Sequence, residues 1–248
     1  MPYENRGRAR IGVFVPYTNT NLEPDLMMMR PEGVALHFAR LGGYDEDEVP
    51  DEAQMAQLGA SDMTEPLRLI LGVKPNVVMY GCTSATLAHG PVFDRELAKT
   101  IAEQSGASTV TAAGALVHAL KRLKVRKIGF ASPYVPSLNE EAISFLADEG
   151  FETANRAEVS ERLGNLGQGA LEPEAVLELG RKADHPDAEA IVLSCTDMRG
   201  VEIIERLEKE VRKPVVTSNQ AMMFQTLEMM NHTLPLKGFG SLFERTKA

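Results

Sequence analysis

Cysteine is scarce in this chain: two residues in 248, too few to staple a secreted scaffold with disulfides. Long apolar runs are missing too. No stretch approaches the roughly 18 residues a membrane span needs, and the polar, charged first ten residues lack the apolar core of a secretory leader. Basic charge is in deficit: the net charge is −9, and Lys and Arg are spread along the chain, which argues against a nucleic-acid surface. The histidines His37, His89, His118, His185 and His232 keep no ligand spacing. No metal site is therefore expected, and His89 reads as a surface residue. What remains is an ordinary globular composition, 44% apolar and 25% charged, long enough to bury a core as one large or two small domains. The expectation is a soluble, reduced, cytoplasmic protein without membrane or nucleic-acid partners.

Against that background a repeat stands out. Arg10 to Tyr17 reads as a buried strand ending in a Pro-Tyr turn, and Lys127 to Tyr134 repeats its Ile-Gly and Pro-Tyr positions. Gly33 and Gly150 each follow the leading isoleucine by 22 residues and open a second strand. Cys82 follows Ile11 by 71 residues and Cys195 follows Ile128 by 67; each cysteine ends an apolar run. Val110-Thr111 and Val216-Thr217 then end a further strand in each half. Four landmarks in one order imply an internal duplication. The remaining pattern predicts a loop over Thr18 to Asp25, a short helix over Leu26 to Arg30 and an exposed acidic connection from Asp45 to Asp51. Helices are predicted over Glu52 to Leu71, Pro91 to Gln104 and Ala112 to Leu123.

Strands alternating with helices give an α/β fold of two pseudo-symmetric lobes, each with a parallel sheet flanked by helices. The first lobe is expected over residues 1–122, completed by 215–248, and the second over 123–214. Ligands of such sheets lie beyond the carboxyl ends of the strands. Both Pro-Tyr turns and both cysteine turns fall there, so a shared cleft would bring the two thiols face to face.

A lone cysteine at a strand end serves equally well as a small buried hydrophobe; a matched pair in a chain with no others argues for chemistry. A strand-to-helix turn lowers a thiol's pKa through free N–H groups and the helix dipole. Thr83, Ser84 and Thr196 add hydroxyls and backbone donors suited to a carboxylate, or to the charge of an enediolate. Tyr134 is preferred to Tyr17 as an anion-binding hydroxyl. Asn19 and Asn165 lie in loops near strand ends, where each could equally be a turn former. The Gly164 to Gly169 stretch has a G-x-x-G-x-G order, which does not make a dinucleotide fingerprint. Met27 to Met29 and Met222-Met223 read as core or interface filler.

These residues carry a resemblance. The paired Cys-Thr turns resemble those of the aspartate/glutamate racemase superfamily. Val15 to Thr20, Tyr80 to Ser84, Ser132 to Tyr134 and Ser194 to Thr196 resemble its maleate cis-trans isomerase branch, which also contains arylmalonate decarboxylases. The resemblance covers almost the whole chain. It implies Cys82 as nucleophile and Cys195 as acid/base partner. Asn19, Tyr134 and Asn165 would hold substrate carboxylates, with Thr83, Ser84 and Thr196 completing the anion nests. It implies no cofactor, and a homodimer or higher homo-oligomer. Arylmalonate decarboxylases lack the first-lobe cysteine, which counts against that activity here.

One departure is visible. Asp197 follows Cys195-Thr196 where maleate isomerases carry a neutral amide. In the cleft its charge would oppose a dianionic substrate; otherwise it could face an ammonium group or cap the following helix. The leading expectation is a cofactor-independent isomerase of a cis-enedioic acid. Its rivals are a two-thiol racemase or epimerase of an amino acid, a hydantoin-like compound or an ectoine-pathway intermediate, and a non-catalytic carboxylate-binding protein.

Overall fold

The structure, a computed structural model, describes residues 7–42, 48–232 and 236–244. Strand β1 (Ala9–Pro16) leads to α1 (Leu22–Met28), then β2 (Val34–Leu41), α2 (Glu52–Gly59) and α3 (Thr64–Leu71). β3 (Val77–Tyr80) runs into α4 (Thr83–Leu87), α5 (Gly90–Ser105), β4 (Ser108–Thr111) and α6 (Ala112–Leu123). The second half continues with β5 (Lys127–Ser132), α7 (Pro136–Asp148), β6 (Glu152–Glu158), α8 (Asn165–Gly169) and α9 (Pro173–Ala183). It ends with β7 (Ala190–Leu193), α10 (Ile204–Val211), β8 (Val215–Thr217), α11 (Ser218–Met229) and α12 (Ser241–Glu244).

The duplication is plain in the sheets. One is ordered β2-β1-β3-β4 and the other β6-β5-β7-β8, and every pairing is parallel. β3 and β7 are buried along their whole length, as apolar strands covered by helices on both faces must be. The repeated Ile-Gly pair has a packing reason. A Cβ at Gly12 would come within 2.7 Å of Ile70 on α3, and one at Gly129 would collide with the Ala183 carbonyl oxygen at the end of α9 and come within 2.8 Å of Ile191. The matched threonines also act alike. Thr111 accepts from the Gly114 N–H at 3.1 Å and Thr217 from the Gln220 N–H at 3.0 Å, each capping the helix that follows. Helices α6 and α11 pack on one another and join the halves.

In both sheets the first and third strands are neighbours in the middle, and their onward connections leave in opposite directions. The loops after β1, β3, β5 and β7 therefore stand at topological switch points, where an open parallel sheet offers a crevice.

Several expectations need correction. Helix α1 begins at Leu22, inside the stretch read as loop, because the Asn19 side chain accepts from the Asn21 and Leu22 N–H groups and closes the first turn early. The helix expected over Glu52 to Leu71 is two, since Asp62 accepts from the Thr64 N–H at 2.8 Å and starts a new helix. No helix follows Cys195 directly: a turn leads to a single 3-10 turn at Val201–Ile203. Val215–Thr217, assigned to the first lobe, pairs with β7 in the second sheet. His89 is half-buried, bonded to the Ala56 carbonyl at 2.7 Å and stacked on Phe93. Met29, Met222 and Met223 are core residues, whereas Met27 and Met28 are exposed. Of the acidic connection, Asp45 to Asp47 lie outside the described residues. Among the described residues no helix is long and apolar enough to cross a membrane.

Candidate active site

The cysteines lie two residues past the ends of β3 and β7. Both are free thiols, and both are almost wholly buried. The Thr196 hydroxyl, in the Cys195 turn, donates to the Gly81 carbonyl of the Cys82 turn at 2.8 Å; the charge of Cys82 opposes ionisation of Cys195, and both sulfurs act on the Tyr134 hydroxyl. Turns related by the duplication thus converge, with the turn after β5 alongside.

The two thiols differ in what surrounds them. Cys82 is the N-cap of α4, with extended backbone. The N–H groups of Ala85 and Ser84 favour its thiolate, and the Ser84 hydroxyl stands 3.7 Å from its sulfur. Burial nevertheless outweighs these donors and pushes its pKa up. Cys195 has no helix start beneath it. Burial also raises its pKa, and the second cause is the negative charge of Asp197. The Asp197 N–H, donating to Sγ at 3.3 Å, offsets this only in part. The thiol of Cys195 donates to Gln168 Oε1 at 3.6 Å.

Asn19 and Thr196 weld the turns together. Asn19 Nδ2 donates to Thr196 Oγ1 at 3.0 Å, and the Thr196 hydroxyl donates to the Gly81 carbonyl at 2.8 Å, one residue before Cys82. The Thr83 hydroxyl donates to Ser218 at 2.9 Å, and that of Ser84 to the Met55 sulfur at 3.1 Å. At Thr83 the donor left for a ligand is therefore the backbone N–H rather than the hydroxyl.

Tyr134 is buried while Tyr17 is half-exposed. The Tyr134 hydroxyl lies against Ser194 and Cys195, yet no hydrogen bond of ordinary geometry closes on it, nor on the Ser194 hydroxyl beside it. Burial holds the phenol pKa well above its usual value, so it offers a proton to an anion. Asn165 opens α8, the helix that carries Gln168, but its Nδ2 donates to the Glu48 carbonyl at 3.0 Å and to Gln54 at 3.3 Å.

Asp197 takes neither of the courses read from sequence. Its Oδ1 accepts from the backbone N–H groups of Thr20 at 2.8 Å and Asn21 at 3.0 Å, and from Asn21 Nδ2 at 3.2 Å. It caps the start of α1 from the opposite half. Burial lifts its pKa to about 6 against these donors. Beneath it lies Asp25, whose pKa burial raises to about 7. Asn219 Nδ2 donates to Asp25 at 2.8 Å and to the Thr196 carbonyl at 2.9 Å.

Gln168, Asn21, Asp25 and Asn219 were not singled out in the sequence. Gln168 lies in the Gly164 to Gly169 stretch, whose spacing makes no nucleotide fingerprint, and Asn219 follows the Val-Thr landmark. Their partners lie in remote turns, so local pattern gave no signal. Among the described residues no group of three or more His, Cys, Asp or Glu side chains is gathered as a metal site would need.

A duplicated parallel α/β frame with one thiol from each half, at matched strand ends, defines a class of protein. The chain belongs to the arylmalonate decarboxylase family, whose profile matches residues 11–243, and so to the maleate isomerase and arylmalonate decarboxylase branch of the aspartate/glutamate racemase superfamily. It is 27% identical to a maleate isomerase of Nocardia farcinica, over 98% of each chain. It is 28% identical to one of Pseudomonas putida, over 94% of this chain and 96% of that one. A solved structure of a Nocardia farcinica maleate cis-trans isomerase, a Cys-to-Ser mutant with a covalently bound succinylcysteine intermediate, matches with a TM-score of 0.85 and 26% identity. The match covers 97% of this chain and 99% of that one.

Proposed function

We propose that the protein is a cofactor-independent cis-trans isomerase of a small enedioic acid of the maleate type. The observation that carries this reading is the pair of free thiols, one from each half, on turns tied to each other by the Thr196–Gly81 hydrogen bond at 2.8 Å. Cys82, with Ser84 and Ala85 donors around its sulfur, is the thiol better prepared to ionise. Its thiolate adds to C2 of the alkene, forming a C–S bond, and the π electrons pass to C3 and its carboxylate as an enediolate. Rotation about the C2–C3 single bond and expulsion of the thiolate then give the trans acid. Cys195, held neutral by burial and by Asp197, supplies a proton to C3 and takes it back. Tyr134 and Asn19 are assigned to the substrate carboxylates, and Asn165 joins them by exchanging its 3.3 Å bond to Gln54 for the substrate. The backbone donors of Thr83, Ser84 and Thr196 are assigned to the spreading charge. The covalent intermediate described for the Nocardia farcinica enzyme supports this order of events.

The racemase reading would set an amino-acid nitrogen against Asp197, whose Oδ1 is already engaged by Thr20 and Asn21. The decarboxylase reading is opposed by the presence of Cys82. We place the enzyme in the reducing cytoplasm as a homodimer or higher oligomer of two-lobed chains divided near Leu123; gel filtration with light scattering tests the assembly.

Proton NMR of protein with maleate tests the function. Wild type should interconvert maleate and fumarate, Cys82→Ser should fall to background, and Cys195→Ser should lose roughly 10²–10⁴-fold in rate. Undiminished maleate affinity in both variants, with no turnover by wild type, would mean a binding protein. Solvent deuterium entering an amino-acid stereocentre would mean a racemase.

A further inference from the structure

We propose that Gln168 is a positioning residue that holds the Cys195 proton on sulfur and so makes Cys195 the harder of the two thiols to ionise. The proposal deepens the isomerase reading and rests on it for its role in turnover.

The geometry starts from α8. At one end the Asn165 N–H donates to the Glu48 carbonyl at 2.9 Å, and its side chain reinforces that bond. At the other, the Gly169 carbonyl accepts from Asn21 Nδ2 at 2.9 Å. The helix is pressed so closely into the seam that a Cβ at Gly169 would come within 2.7 Å of Asp197 in its own half and 2.8 Å of Thr20 in the opposite half. Gln168 is buried between these anchors, and its Oε1 meets the Cys195 thiol.

A carbonyl oxygen at that position has a definite chemical effect. It accepts from S–H but only repels a thiolate, so it stabilises the neutral form. The groups facing Cys195 from other elements are Cys82, on the turn after β3, and the Tyr134 hydroxyl; on its own turn is Asp197. Cys82 and the Asp197 carboxylate also disfavour the anion, and the Asp197 N–H and Tyr134 favour it. Gln168 differs from all of these in accepting the thiol proton itself. When Cys195 gives its proton to C3, the S–H bond breaks, the enediolate pair forms C3–H, and the new thiolate faces the lone pairs of Oε1. That repulsion drives the proton back to sulfur, which restores the alkene as Cys82 leaves.

The test reads each sulfur separately. Wild type, Gln168→Met and Gln168→Glu are alkylated with iodoacetamide across a pH series, and the Cys82 and Cys195 peptides are quantified by mass spectrometry in the same sample. Removing the acceptor in Gln168→Met should lower the Cys195 midpoint by roughly half a unit to one unit. Gln168→Glu, which keeps an acceptor and adds charge, should raise it. In both, the Cys82 midpoint should move less. An unchanged Cys195 midpoint in the two variants, or equal movement of both cysteines, overturns the proposal. The readout needs no substrate: a wild type inactive on maleate whose Cys195 midpoint still follows residue 168 removes the isomerase reading alone. If Gln168→Met does not fold, Gln168→Glu decides.

Discussion

Asp197 and Asn21, 176 positions apart in the chain, meet at the seam between the two halves, the carboxylate of one accepting from both the main chain and the side chain of the other. The residue two positions after the second-half cysteine therefore holds the start of the helix that follows the first-half Pro-Tyr turn. Its Oδ1 is held at that helix start, and its charge raises the pKa of Cys195 and, less strongly, of Cys82.

Two replacements separate these duties. Asp197→Asn keeps an oxygen for Thr20 and Asn21 but removes the charge that raises Cys195. The alkaline limb of the pH–rate profile should move to lower pH, with little change in melting temperature. Asp197→Ala leaves the Thr20 and Asn21 N–H groups unanswered in a buried setting and should cost on the order of 1–3 kcal/mol in urea denaturation.

Asp25 gives a pH signature in stability. Burial raises its pKa from 3.8 to about 7, so between those values the folded protein holds a proton that the unfolded chain has released. Its favourable contribution is complete below about pH 4 and is lost as pH rises through 7. Asp94 and Asp197, both raised by burial to about 6, act in the same direction. The urea midpoint should thus fall between pH 5 and pH 8, and Asp25→Asn should flatten that fall; an equal slope in the variant would refute the assignment.

Asn219 is the link between Asp25 and the Cys195 turn. Asn219→Ala removes the donor from a buried carboxylate and from the Thr196 carbonyl, and should destabilise by roughly 1–3 kcal/mol. Asn219→Asp sets a second carboxylate against Asp25, and its melting temperature should drop most steeply above pH 7.

Thr196→Val keeps the volume but deletes the hydroxyl shared by Asn19 and Gly81. With both cysteines intact, kcat should fall by about one to two orders of magnitude while the intrinsic alkylation rate of each thiol stays near wild type. A kcat unchanged within twofold would show that the turns need no such tie.

Much of this was legible in the chain itself. The matched Ile-Gly, Pro-Tyr and cysteine positions are periodic and each sits at a strand end, so they announced two like sheets and the convergence of Cys82, Cys195 and Tyr134. The start of α1 was not legible, because Asn19 closes its first turn through an aspect of side-chain geometry that the polar run Thr18 to Asp25 hides. The Asp62 break is local and could have been read: an aspartate two residues before Thr64, inside a helical pattern, is a start signal. Gln168, Asn219 and the true partners of Asp197 depend on which loops are pressed together after folding, and no local spacing encodes that.

The single hydroxyl–carbonyl bond from Thr196 to Gly81 has one more consequence. It works as a caliper: the main chains bearing the two sulfurs are fixed at a set opening, whatever occupies the space between. Selection by molecular length would then follow from that jaw width rather than from the pocket lining, and lengthening a diacid by one carbon should be penalised even where every carboxylate contact can still be made.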